Sequence, residues 1–137
     1  MLKGQQSWEF ASKPRIISSA AVVGPFEGQG PLAKDFDKVH EELFIGQDSW
    51  EKAERALFEE ATELAIQKAG LAPEQVQFLI GGDLMNQIIS ASFAARTLSI
   101  PFMGMFGACS TSMLSLAVAS QLIDSGAANY AVAATSS

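Results

Sequence analysis

The sequence predicts an α/β domain with a mostly parallel sheet flanked by helices. Three observations predict it. Apolar, β-branched runs recur along the 137 residues. Stretches with helical spacing alternate with them, and the connections are short and marked by Gly or Pro. Strands and helices that alternate in this way form βαβ units around a parallel sheet, and their crossovers are right-handed.

The first strand is expected over Ile16–Gly24. Its apolar residues do not alternate cleanly, as in a strand covered on both faces. Pro25–Pro31, with Gly28 and Gly30, reads as a loop. Leu32–Gly46 is weakly periodic, with one short helix expected around Val39–Phe44. The first long helix begins at Asp48-Ser49-Trp50-Glu51, where Asp48 and Glu51 have capping-box spacing. Ala53, Ala56, Leu57, Ala61, Leu64, Ala65 and Ala69 form its apolar face. That alanine-rich stripe predicts a helix lying close against the sheet. Gly70 and Pro73 end it.

Val76–Ile80 is the second strand, closed by Gly81-Gly82-Asp83. Gln87–Leu98 is the second helix, with Ile88, Ala91, Ala95 and Leu98 on one side. Ile100–Phe106 is the third strand. Thr111–Asp124 is the third helix, apolar almost all round, which predicts burial on nearly every side. Gly126 ends it, and Tyr130–Ala134 is the fourth strand.

Composition narrows the function. Nine Lys and Arg against fifteen Asp and Glu give a net charge of −6, so the basic footprint of a nucleic-acid binder is absent. A single Cys excludes an internal disulfide and fits a reducing compartment. The N-terminus lacks the apolar stretch of a signal peptide. Arg96–Asp124 carries no charge between its ends, long enough in principle to span a bilayer. Pro101, Gly104, Gly107 and many Ser and Thr divide it into strand, turn and helix, so it reads as the centre of a folded core.

The chemistry concentrates at Phe106-Gly107-Ala108-Cys109-Ser110-Thr111-Ser112, a strand-to-helix turn. Gly107 can take a backbone conformation closed to bulkier residues, and Ser110, Thr111 or Ser112 can cap the helix. Such a turn sets the Cys109 sulfur at the positive end of a helix dipole, which favours the thiolate. That position suits a nucleophile or a thiol beside an anion site. Spacing alone leaves open the other reading, a small buried hydrophobe at a tight turn. Asp83 ends a neighbouring strand, and ligands of open α/β sheets bind beyond strand carboxyl ends. Asp83 and Cys109 are therefore expected to face one pocket, although Asp83 also reads as a turn residue or helix cap. Gly81-Gly82 is a weak phosphate signal, with neither a P-loop lysine nor a Gly-x-Gly-x-x-Gly pattern. His40 lies among acidic residues and reads as solvated.

Strand, Gly-Ala-Cys, apolar helix and a strand ending in Thr135-Ser136-Ser137 together resemble the first half of the thiolase-like (condensing-enzyme) fold. Within it the chain is similar to the stage V sporulation protein AD family of spore-forming bacteria. The specific marks are Gly30-Pro31-Leu32 and Asp48-Ser49-Trp50-Glu51-Lys52-Ala53-Glu54. Gly82-Asp83-Leu84-Met85-Asn86-Gln87, Phe93-Ala94-Ala95-Arg96, Pro101-Phe102 and Gly107-Ala108-Cys109-Ser110-Thr111-Ser112 complete them. The resemblance implies that residues 1–137 form an N-terminal thiolase-like domain that ends before its final strand, with the second half of the fold absent.

The resemblance further implies a protein that binds dipicolinic acid (pyridine-2,6-dicarboxylate) and supports its uptake into the developing spore. Membrane proteins of the same operon are the implied partners. A homodimer is expected at full length. The implied location is cytoplasmic, with peripheral association at the spore inner membrane. The ligand-binding candidates are Cys109, Ser110, Thr111, Ala108 and Asp83, the N–H groups of Cys109, Ser110 and Thr111 facing a carboxylate. No cofactor and no metal ligand is expected, calcium entering only within the ligand's chelate. The alternative is a thiolase or ketoacyl-synthase type acyl transferase with Cys109 as nucleophile. Superfamily enzymes assist that cysteine with residues from the second half of the fold, and His40, the only histidine, is far from the turn in sequence.

Overall fold

The computed structural model describes residues 1–137 apart from 86 and 87. A three-stranded parallel sheet lies at its centre in the order β6-β5-β7. β5 is Phe78–Gly82, β6 is Phe102–Gly104 and β7 is Ala131–Thr135. Helix α1 (Trp50–Lys68) lies beside α2 (Ile89–Leu98), and α3 (Thr111–Asp124) rests on β5 and β7. Two short pairs stand outside this sheet. β1 (Leu2–Lys3) meets β2 (Ser7–Trp8) antiparallel, and β3 (Val22–Val23) meets β4 (Lys38–Val39) in parallel. The expected α/β class with a parallel sheet between helices is the one observed.

β5 is the buried axis. Leu79 and Ile80 are both fully buried, and successive strand residues point to opposite faces. Leu79 belongs to the main core with Phe58 and Ile66 of α1, Ala91 and Ala95 of α2, and Ile100. Alanines on α2 let its axis come close to α1 and the sheet.

Several elements differ from the sequence reading. The first strand shrinks to Val22–Val23, which pairs with β4 and not with the central sheet. Residues 14–20 run past α1 and β7 without forming a strand, the Ser18 hydroxyl donating to the Ala65 carbonyl of α1 at 2.6 Å, and leave a cavity of about 320 Å³. No helix forms around 39–44. Those residues start in β4 and continue in turns, and the His40 N–H donates to the Val23 carbonyl at 2.9 Å. The helix cap is Ser49, whose Oγ accepts from the Lys52 N–H at 3.3 Å. Asp48 instead pairs with the Lys52 ammonium one turn on. The buried stripe of α1 is Ala53, Phe58, Thr62 and Ile66, and the expected stripe residues Ala61, Ala65 and Ala69 line the cavity together with Thr62 and Ile66. The expected start of the second helix at Gln87 lies outside the described residues.

α3 has its expected bounds but not its expected burial. Only Thr111, Ser115 and Ala119 are buried, one residue per turn against the sheet. Met113 is 64% exposed, and Leu114 is exposed as well. An apolar helix turned outward in this way leaves a bare face.

His40 is not solvated. Its Nε2 bonds a Glu60 carboxylate oxygen on α1, and Lys38 holds the other oxygen. Burial pushes the Glu60 carboxyl up, but the bonds from Lys38 and His40 outweigh it and hold the group below its usual range. Nearby, the Lys68 ammonium and then the Ala21 N–H do the same for Asp37. The polar residues of 37–40 therefore bond to the outer side of α1, which is why the mixed-charge segment forms no helix of its own.

Two outcomes follow from this architecture. Leu79→Ala leaves a hole between β5, α1 and α2 and lowers stability by about 2–5 kcal/mol, read from urea unfolding. A carboxylate with a depressed folded pKa stabilises above its unfolded pKa, and that contribution disappears as pH falls through the folded value. Acidification below about pH 4 thus loosens residues 21–40 from α1, seen as faster amide exchange at His40. Glu60→Gln reduces that acid sensitivity.

Candidate functional site

The carboxyl ends of the strands bring the predicted motifs to one edge. β5 pairs with β6, and the Met105 N–H extends the ladder to the Gly81 carbonyl at 2.7 Å. Across the other side of β5, the Ser136 N–H donates to the Gly82 carbonyl at 3.3 Å. The glycine pair permits this crowding. A Cβ at Gly81 runs into the Ala134 carbonyl oxygen, and one at Gly82 into that of Met105. The pair serves strand packing, which accounts for it without a phosphate.

After β6 the chain makes a short 3₁₀ turn over Ala108–Ser110 and enters α3 at Thr111. The left-handed residue is Ala108, with φ +47°, while Gly107 has φ −132°. Gly107 is needed for room, since an added Cβ would stand 2.7 Å from the Ser110 hydroxyl. The turn also engages two of the three N–H groups expected to face a ligand, those of Ser110 and Thr111. The Ser110 N–H and Oγ both donate to the Gly107 carbonyl, at 2.9 and 2.6 Å. The Thr111 N–H bonds Ala108, and the Gly107 N–H donates back to Thr111 Oγ1 at 3.1 Å. Ser110 therefore stands at the cap position without capping α3 through its side chain. Cys109 sits on this turn as an exposed free thiol, so the buried-hydrophobe reading does not apply. Phe106, 62% exposed, and exposed Leu84 add apolar surface to this edge.

Asp83 points the other way. Fully buried, it accepts the Met85 N–H on Oδ1 at 2.8 Å and the Ala91 N–H on Oδ2 at 2.6 Å. It caps the first turn of α2 from outside the helix, because the residue at the cap position, Ile88, offers no side-chain acceptor and takes φ +55°. The two strand ends are neighbours, but one polar group is sealed inside and the other stands at the surface. Neither the 320 Å³ cavity nor a second of about 400 Å³ beside residues 20–24 is lined by Asp83 or by residues 108–111.

One further group belongs to this edge. Glu54 of α1 accepts the Ser136 hydroxyl at 3.0 Å. Burial first, and Asp83 as a like charge, raise its carboxyl above the usual range, against the lowering effect of the Ser136 bond. Glu54 escaped the sequence reading as a site residue because its partner lies 82 positions away. Its place in the tryptophan-containing motif was the only signal.

The stage V sporulation protein AD family model matches residues 4–137. The chain belongs to that family. It is 48% identical over 136 residues to "Stage V sporulation protein AD" of Bacillus subtilis (strain 168), covering 99% of this chain and 40% of that one. The chain thus spans about 40% of the length of this relative. Among solved structures it is similar to 3-oxoacyl-[acyl-carrier-protein] synthase III from Aquifex aeolicus VF5. That likeness has a TM-score of 0.49 and 21% identity, and covers 58% of this chain and 27% of the other.

Two of the motifs quoted above, 82–87 and 107–112, fall on the edge just described, and a third contributes Glu54 to it. Asp83 and Leu84 follow β5, the 107–112 motif builds the turn, and Glu54 reaches in from α1; Asn86 and Gln87 lie outside the described residues. Among the described residues, no group of three or more His, Cys, Asp or Glu is placed to hold a metal ion, and no helix is long and apolar enough to cross a membrane. Removing the Asp83 charge tests what anchors α2. Asp83→Ala leaves two N–H groups without their carboxylate and costs about 1–3 kcal/mol or more in thermal or urea unfolding, with exchange at Ala91 speeding up most.

Proposed function

We propose that this chain carries the anion-facing edge of a sporulation protein that binds dipicolinic acid and supports its uptake into the developing spore. The observation that carries the reading is the contrast between two helix N-termini at that edge. Asp83 already supplies the anion for α2. α3, fourteen residues long, begins without any side-chain cap and with the exposed Cys109 before it. A helix start bears about half a positive charge, and an anion placed there is stabilised. A flat aromatic dicarboxylate brings charge for that terminus and a face for Phe106 and Leu84. With the Ser110 and Thr111 N–H groups engaged in the turn, a ligand carboxylate draws on the dipole and on Cys109 more than on a row of free donors.

Binding without catalysis is the preferred form of this reading. Acyl transfer through Cys109 requires a base to make the thiolate; among the described residues His40 is not placed for that, being bonded to Glu60 on α1. The exposed thiol itself favours the acyl-transferase alternative enough to test it. Calcium enters with the ligand as its chelate. The implied assembly is a homodimer, with membrane proteins of the same operon as partners and peripheral association with the spore inner membrane. The free edge of β6 is available for such pairing.

Calorimetric titration of the full-length protein with dipicolinate, with and without calcium, tests the reading. Cys109→Trp, which fills the turn's outer surface, lowers affinity at least tenfold, about the value of one charge-assisted bond. His40→Ala leaves it unchanged. A Cys109→Trp protein that binds as tightly as the parent places the ligand elsewhere. For the alternative, incubation with acyl thioesters leaves the mass of the Cys109 peptide unchanged; stoichiometric acylation there establishes the transferase instead.

A further inference from the structure

We propose that Glu54 is a positioning residue of this edge: through Ser136 it ties α1 to the carboxyl end of β7, and its charge decides how readily the edge admits an anion. The proposal deepens the reading above and rests on it for the ligand, though not for the electrostatics. The geometry is a chain of contacts. Glu54 accepts from Ser136 Oγ at 3.0 Å, the Ser136 N–H donates to Gly82, and Gly82 leads into the buried Asp83. β5 lies between β7 and β6. With neighbouring strands about 4.8 Å apart, Ser136 and Met105, from which the chain turns to Cys109, stand on either side of the end of β5, roughly 10 Å apart.

Among the described residues, the surroundings of Glu54 contain one other facing charge. Asp83 follows β5, α2 contributes Ser90, β7 is followed by Ser136, and Leu84 offers its backbone N–H. β3 and β7 carry no charged residue, and the only charge of α2, Arg96, lies in its last turn. On α1 itself, Arg55 is directed to Glu59. Ionised, Glu54 adds a second negative charge beside Asp83. Protonated, it keeps the Ser136 contact and leaves the edge with a single buried charge whose oxygens are already bonded. The raised carboxyl of Glu54 is what such a position produces.

Cys109 is an exposed reporter at the same edge. In the full-length protein at low salt, its alkylation rate with anionic iodoacetate is divided by that with neutral iodoacetamide. The ratio cancels the thiolate fraction and reports the local potential. At pH 8 the ratio is about threefold higher in Glu54→Gln than in the parent, the effect of one charge at that range in a wet setting. The two proteins converge as pH falls and the parent's carboxyl takes up its proton. Ser136→Ala, which keeps the charge but removes the bond that favours it, moves the convergence to higher pH. A ratio equal in parent and Glu54→Gln at pH 8, or a convergence unmoved by Ser136→Ala, overturns the proposal; a purely structural tie would not discriminate the reagents by charge. Dipicolinate affinity follows the same pattern. If dipicolinate binds no variant while the ratio behaves as stated, the ligand reading fails and Glu54 stands. If dipicolinate binds and the ratio is flat, Glu54 fails and the ligand reading stands.

Discussion

A buried carboxylate at the end of the central strand organises this chain. Taking an ionised group out of water costs several kcal/mol unless hydrogen bonds replace its hydration. Asp83 is fully buried, with the Met85 and Ala91 N–H groups on its two oxygens. Those bonds dictate where α2 starts and how the chain leaves β5. They account for a left-handed Ile88 at a position where a Ser or Asp would ordinarily cap. They also depend on strands that approach closely, which is why Gly81 and Gly82 precede the aspartate. Charge, glycines and helix start form one device, and removing any member undoes the others.

What the sequence made legible was regular and local. The strand–helix alternation, the helix over 111–124 and the adjacency of the Asp83 and Cys109 strands all follow from periodicity and from short connections. What it concealed depends on groups far apart in the chain. Nothing near His40 shows that Glu60 awaits it, and nothing near Glu54 points to Ser136. Ile16–Gly24 has the composition of a strand, yet a strand is defined by a partner, and only Val22 and Val23 find one. The turn before α3 shows the same limit of local rules. The glycine looked like the residue of unusual backbone, but the alanine beside it takes the positive φ. The glycine is there because the Ser110 hydroxyl occupies the space of a side chain.

The burial of α3 departs from its composition for a related reason. An apolar helix all round implies cover all round, yet a single stripe of Thr111, Ser115 and Ala119 meets the sheet. Two of these are polar, and Ser115 Oγ is buried without a hydrogen-bond partner among the described residues. The small residues face the strands and the large ones, Met113 and Leu114, face outward. That inversion of the usual pattern allows the helix to lie close on β5 and β7 while its bulk is presented on the opposite side.

The two helix N-termini at this edge then differ in a way that matters for chemistry. α2 receives its anion from within the chain, from a residue held too deep to exchange it for another. α3 starts from a turn that satisfies its own donors around Gly107 and leaves the dipole without a counter-charge. A dipole exposed to water is weakly felt, screened within about 10 Å at 0.1 M salt, and gains strength when apolar surface excludes water around it. Phe106, Leu84 and Met113 are the side chains able to exclude that water once something covers them. The edge is thus poised between a surface and a site: the charge arrangement is in place, and the low-dielectric surroundings that make it effective arrive with whatever packs over the bare face of α3.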